Sequence, residues 1–137
     1  MSLTINHQTD DISTASALSI STSSAERLRI DSSGTVEFKN AIKEAVYTLT
    51  GTALDPSNGT IQVKTLSANT TLTDSLSAGE AITLMIDDGA ANTITWPTMI
   101  WVNNAGSAPT LATSGYTVIA LWKVSTTLYG ALVGDGS

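Results

Sequence analysis

The only histidine, His7, lies in a polar run beside Asp10 and Asp11. Nucleophilic catalysis needs a base next to an activated hydroxyl or thiol, with an acid to orient the base. No G-x-S-x-G elbow occurs and cysteine is absent, so His7 reads as a solvated side chain. One histidine and no cysteine also exclude a structural zinc site, which takes several such ligands. Asp87-Asp88-Gly89 sets two carboxylates before a glycine. A calcium loop spaces its acids and closes on a distal Glu. That spacing is missing, and a hairpin turn accounts for the same residues. Paired carboxylates for glycoside cleavage would have to come from Asp55, Asp74, Glu80, Asp87 and Asp88, and nothing in their spacing pairs them. No glycine-rich phosphate loop opens a helix. The expectation is a protein that is not an enzyme, with no catalytic residue, no metal ligand and no cofactor.

Aromatic side chains offer a binding chemistry instead. Sugars stack their apolar ring faces on Trp or Tyr, and polar groups nearby take the hydroxyls. Trp96, Trp101, Tyr116, Trp122 and Tyr129 all fall in the C-terminal half. Trp122 shares a strand face with Val118 and Val124 and is assigned to the core. Trp96 shares one with Ile94 and is assigned to core or rim. Trp101 has two readings: it caps the core from a bent strand, or it lies exposed with Asn103 and Asn104 as a contact for host surface glycans.

The elements that would position these residues are strands. The chain of 137 residues has 42% apolar residues, six Lys and Arg, twelve Asp and Glu and a net charge of −6. Thr, Val and Ile suit pleated strands, and Ser, Gly, Asn and Asp suit the turns between them. So acidic a chain has no basic stripe with which to neutralise phosphates, which argues against nucleic acid as a partner. No apolar run approaches the ~20 residues of a membrane span. "MSLTINHQTDD" has neither the basic region nor the apolar stretch of a secretory signal.

Residues 1–42 read as an extended β-rich attachment or stalk segment. Its short apolar pairs are Leu3/Ile5, Leu18/Ile20, Leu28/Ile30 and Val36/Phe38, separated by Ser/Thr tracts. Each strand is too short to form a core alone. "AIKEAVYTLT" (41–50) is a junction that starts as a helical turn and becomes a strand. Residues 43–137 read as an antiparallel β-sandwich-like domain, with strands over 60–66, 80–89, 92–97, 98–104, 116–124 and 127–134. The pair 80–89 and 92–97 is expected to form a hairpin about Asp88-Gly89.

The last two strands are apolar on both faces. Val118, Ala120, Trp122 and Val124 share one side of the first, and Ile119 and Leu121 the other. In the second, Leu128 and Leu132 oppose Tyr129, Ala131 and Val133. A half-exposed strand alternates apolar with polar. Either a loop of the same chain covers the second face or another subunit does. The coreless N-terminal strands favour the subunit. The expected oligomer interface comprises Leu28, Ile30, Val36, Phe38, Ile119, Leu121, Tyr129 and Val133.

The cassette "ERLRIDSSGTV" (26–36) resembles one found in bacteriophage tail-fibre and related virion appendage proteins, where an E-R-[LM]-R-I-D-S-S-G turn punctuates a β-rich, usually trimeric fibre. The stretch from "TLSANTTL" at Thr65 to Ser137 resembles a terminal β-domain of phage structural proteins. The resemblance implies an all-β virion structural protein, homotrimeric, attached to other virion proteins of head or tail. It brings no catalytic residues. Many such fibres run to several hundred residues and end in an autocleaving chaperone domain. The present length better suits a short fibre or a capsid-decoration component. Residues 1–25 are expected to attach it to the particle, with the C-terminal domain projecting.

Overall fold

The computed structural model describes residues 17–87, 92–102 and 106–136. His7 and the Leu3/Ile5 pair lie outside them, as do Asp88, Gly89, Asn103 and Asn104. The described residues are all-β apart from one 3-10 turn, and the chain divides into two compact units, Met1–Lys43 and Glu44–Ser137.

In the first unit, β1 (Leu18–Thr22), β2 (Ala25–Ile30) and β3 (Val36–Phe38) form an antiparallel three-stranded sheet in sequence order. Ser23 and Ser24 make the first turn with positive φ (51° and 62°), the geometry of a primed two-residue hairpin. The second turn is built by Asp31. Its Oδ1 accepts from the Ser33 amide (2.8 Å), the Ser33 hydroxyl (2.6 Å) and the Thr35 amide (3.0 Å). Gly34, at φ 85°, donates to the Asp31 carbonyl at 3.0 Å. The cassette is thus a strand, an Asp-organised turn and a strand.

The second unit is built on a six-stranded sheet. Its members are β4 (Val46–Thr48), β6 (Ile61–Thr65), β9 (Ala81–Asp87), β11 (Ile100–Trp101), β12 (Tyr116–Val124) and β13 (Thr127–Gly136), in the order β11-β13-β12-β9-β6-β4. Two parallel two-stranded pieces accompany it: β5 (Ala53–Leu54) with β8 (Thr73–Asp74), and β7 (Thr70–Thr71) with β10 (Ile94–Thr95). Pairing is mixed where an antiparallel sheet was expected. β9, β12 and β13 are antiparallel neighbours, but β4–β6, β6–β9 and β11–β13 run parallel. Nor do β9 and β10 form a hairpin: β9 lies between β6 and β12, and β10 pairs with β7. Parallel neighbours need long crossover connections, and here the crossover segments supply the small second layer. The expected helical turn after residue 41 does not form; the chain is irregular up to Val46.

The core lies between the sheet and these crossovers. Ile82, Leu84, Ile86, Ile119, Leu121 and Leu128 project from the sheet. Trp101, on the edge strand β11, extends this face, and Leu49, Leu54, Leu66, Leu72 and Leu76 cover it. Two polar side chains of β6 join the same face. Gln62 is fully buried, and its Nε2 donates to the carbonyls of Asp55 (2.7 Å) and Gly59 (3.0 Å). Buried Lys64 donates from Nζ to the carbonyls of Leu49 (3.3 Å) and Gly51 (2.9 Å). These bonds satisfy loop carbonyls that packing would otherwise strand away from water, and they tie the 49–59 segment to the sheet.

Candidate functional site: two apolar sheet faces and a tryptophan cleft

Register places Leu18, Ile20, Leu28, Ile30, Val36 and Phe38 on one face of the three-stranded sheet, with Leu28 opposite both Ile20 and Phe38, and Ile30 opposite Leu18 and Val36. Ile20, Val36 and Phe38 are each more than half exposed. The other face is polar. There the Arg27 Nε donates to the Thr22 hydroxyl (2.8 Å), and Lys39 approaches Glu37 (2.7 Å) and Glu26 (3.5 Å). A hydrogen bond from Ser19 and the nearby Lys39 ammonium lower the Glu26 pKa. The Glu37 carboxylate, followed by that of Glu26, raises the Lys39 pKa.

The six-stranded sheet carries a second apolar face, opposite the core. Register aligns Val46 with Ile61, Val63 with Met85, Met85 with Val118, and Trp122 with Tyr129. Trp122 and Tyr129 are stacked, with centroids 5.9 Å apart and planes at 12°. Ala120 and Ala131 are paired between them and the bulge. Val46 and Ile100, near the two edges, are exposed. Among the described residues, charge enters this face at Asp87, at its end, and at Glu44, beside Trp122. A depression of about 260 Å³ opens beside Trp122 and is bounded by Ala81, Thr83, Ala120 and Glu44, whose carboxylate accepts from the Thr60 hydroxyl.

The expected interface residues therefore separate. Leu28, Ile30, Val36 and Phe38 do come together on one face. Ile119 and Leu121 are core residues, 0% and 1% exposed, and are closed to a partner. The hairpin register puts Leu121 opposite Gly130 and Ile119 opposite Leu132, so both side chains point inward with Leu128. Tyr129 lies on the opposite, outward face. Val133 is the extra residue where the register shifts between Val118 and Ile119, and it is exposed. Trp122, assigned from the sequence to the core, is half-buried on the outward face. The sequence does show both strands to be apolar on alternate positions; which set faces inward depends on where the crossovers pack.

Trp101 is buried at 7% exposure and takes the core reading. It cannot offer a ring face to a sugar. Gly130, its register partner on β13, makes room for it: a Cβ there would lie 3.0 Å from both Trp101 Cζ3 and Leu121 Cδ2, and against Met99 Cε. Trp101 meets Trp96 edge to face, with centroids 5.0 Å apart and planes at 85°. Trp96, only partly buried, lines a cleft of about 360 Å³ between residues 92–96 and 108–113.

The sparse carboxylates organise local structure. Asp55 caps the 3-10 turn through the Ser57 amide (2.9 Å), and the Ser57 hydroxyl, followed by that amide, lowers its pKa. Asp74 accepts from the Leu76 amide (2.9 Å) and pairs with Lys123 at 2.6 Å. Glu80 accepts from the Ser77 amide (2.7 Å). Among the described residues no three His, Asp or Glu side chains gather as a metal site, and no helix is long and apolar enough to cross a membrane. Comparisons with protein-family models, with curated proteins and with solved structures gave no match.

Proposed function

We propose that this chain is a non-enzymatic structural protein of a bacteriophage virion, a short homotrimeric fibre or decoration component held to other proteins of the head or tail. The observation that carries the self-association is the outward face of the six-stranded sheet. On β6 the polar Gln62 and Lys64 turn inward while Ile61 and Val63 turn outward. A sheet with water on its outer side places these types the other way round. Inward polar groups need compensating hydrogen bonds, and outward apolar ones gain only when covered. The pattern continues through Met85, Val118, Ala120 and Trp122, which is the composition of a contact between subunits. The apolar side of the N-terminal sheet offers a second such surface. The phage assignment and the number three rest on the E-R-L-R-I-D-S-S-G resemblance.

Native mass spectrometry and sedimentation at micromolar concentration test the reading. The expected species is a trimer. Ala120→Glu on the outward face should weaken it by about tenfold or more, roughly 1.4 kcal/mol, and leave the circular dichroism unchanged. A well-folded monomer of the unaltered chain at that concentration overturns the proposal.

A further inference from the structure

We infer that the cleft at Trp96 is a binding site for a neutral saccharide. The inference goes beyond the oligomeric reading and does not depend on it. The cleft's volume, about 360 Å³, falls at the small end of the ~300–1,000 Å³ of small-molecule sites, space for a sugar ring or two. Its aromatic wall is Trp96, held by the edge-to-face contact with buried Trp101. An indole fixed in this way offers its surface to the C–H face of a pyranose without an ordering cost on binding. Asn92, Thr93, Thr110 and Thr113 supply polar groups around the ring. The hydroxyls of these three threonines make no hydrogen bond among the described residues, nor does the Asn92 Oδ1 accept one. They are available to ligand hydroxyls.

Both walls are tied down. The Thr93 amide donates to Asn69 Oδ1 (2.9 Å), and Asn92 Nδ2 donates to the Leu66 carbonyl (3.0 Å). The Thr70 and Leu72 amides donate to the carbonyls of Thr93 and Thr95, both at 2.9 Å. On the other side, the hydroxyl of fully buried Thr117 accepts from the Ala112 amide at 2.7 Å. Among the described residues, no charged side chain lines the cleft. That excludes the cation pairing that sialic or uronic acids would need, and selects a neutral sugar.

The test is a titration of the full chain with glucose, galactose, N-acetylglucosamine and their β-linked disaccharides, followed by amide chemical shifts and tryptophan fluorescence. The expected result is saturable shifts at residues 92–96 and 110–113 with at least one of these sugars at millimolar concentration. Trp96→Ala should weaken that binding at least tenfold. Because Trp96 also touches the core, Thr110→Arg serves as a second variant: position 110 is exposed, so the fold is kept while the cleft is blocked, and binding should be lost. Arg29→Ala, exposed on β2 of the N-terminal sheet, should leave it unchanged. Absence of saturable shifts with every neutral sugar overturns the inference. So does binding that maps elsewhere, that survives Thr110→Arg, or that occurs only with anionic saccharides.

Discussion

Gly130 shows how tightly one residue can be specified without any chemistry. It lies in the middle of β13, where a glycine weakens a strand. Its worth is in the space it leaves for Trp101, Leu121 and Met99. The Met99 methyl can swing away from a new Cβ, whereas the packed indole and Leu121 cannot do so freely. Gly130→Ala should therefore lower stability by about 1–3 kcal/mol, as overpacking does, read as a fall in thermal midpoint. It should also blue- or red-shift the tryptophan emission, because Trp101 and Trp96 move together. An alanine variant as stable as the parent would mean that the indole has room to yield.

At the scale of the element, the turn between β2 and β3 is held by one carboxylate. The Ser33 hydroxyl, then the amides of Thr35 and Ser33, lower the Asp31 pKa below its ordinary value. A lowered folded-state pKa means that these bonds stabilise the turn at any pH above the unfolded value, ~3.9, and are lost as pH falls through the lower, folded value. The amide shifts of Ser33 and Thr35 should titrate together with a midpoint below ~3.9. In Asp31→Ala both amides should lose that titration, and β3 should exchange its amide protons faster. A midpoint at or above the ordinary value would mean that the carboxylate is free in solution. The cassette's role is to bring Leu28, Ile30, Val36 and Phe38 onto one face, and the turn fixes the register that does so.

For the whole molecule, the distribution of burial separates the two units. Every residue of the hydrophobic core cluster, from Leu49 to Leu128, belongs to Glu44–Ser137. The three-stranded sheet contributes none. A chain that begins at Glu44 should keep a single cooperative thermal transition and the emission of a buried tryptophan, because it retains every residue of the core cluster. Deleting residues 1–25 removes β1 and should leave the same transition, and, on the virion role proposed above, should abolish incorporation into particles. A truncated protein that still joins particles at normal occupancy would move the point of attachment elsewhere. One that unfolds would make the N-terminal segment part of the core.

The sequence by itself determined the class of the fold. Alternation in "YTVIALWKV" and "TLYGALVG", with Ser125-Thr126 between them, is enough to define β12, β13 and their turn. The period of two is a local property of the backbone, and the turn residues carry their own conformational preference. Period two also made it legible that both faces of this pair are apolar, and that Leu28, Ile30, Val36 and Phe38 share a side. Tertiary structure alone decided which face is the inside. "IQVKT" alternates as a half-buried strand would, yet Gln62 and Lys64 are the inward pair, because the loop carbonyls of Leu49, Gly51, Asp55 and Gly59 come over β6 and need donors. The same packing closes Trp101 behind Gly130 and leaves Trp96 at the cleft. A strand's sequence records two faces but not their neighbours, since those are set by crossovers that join residues far apart in the chain.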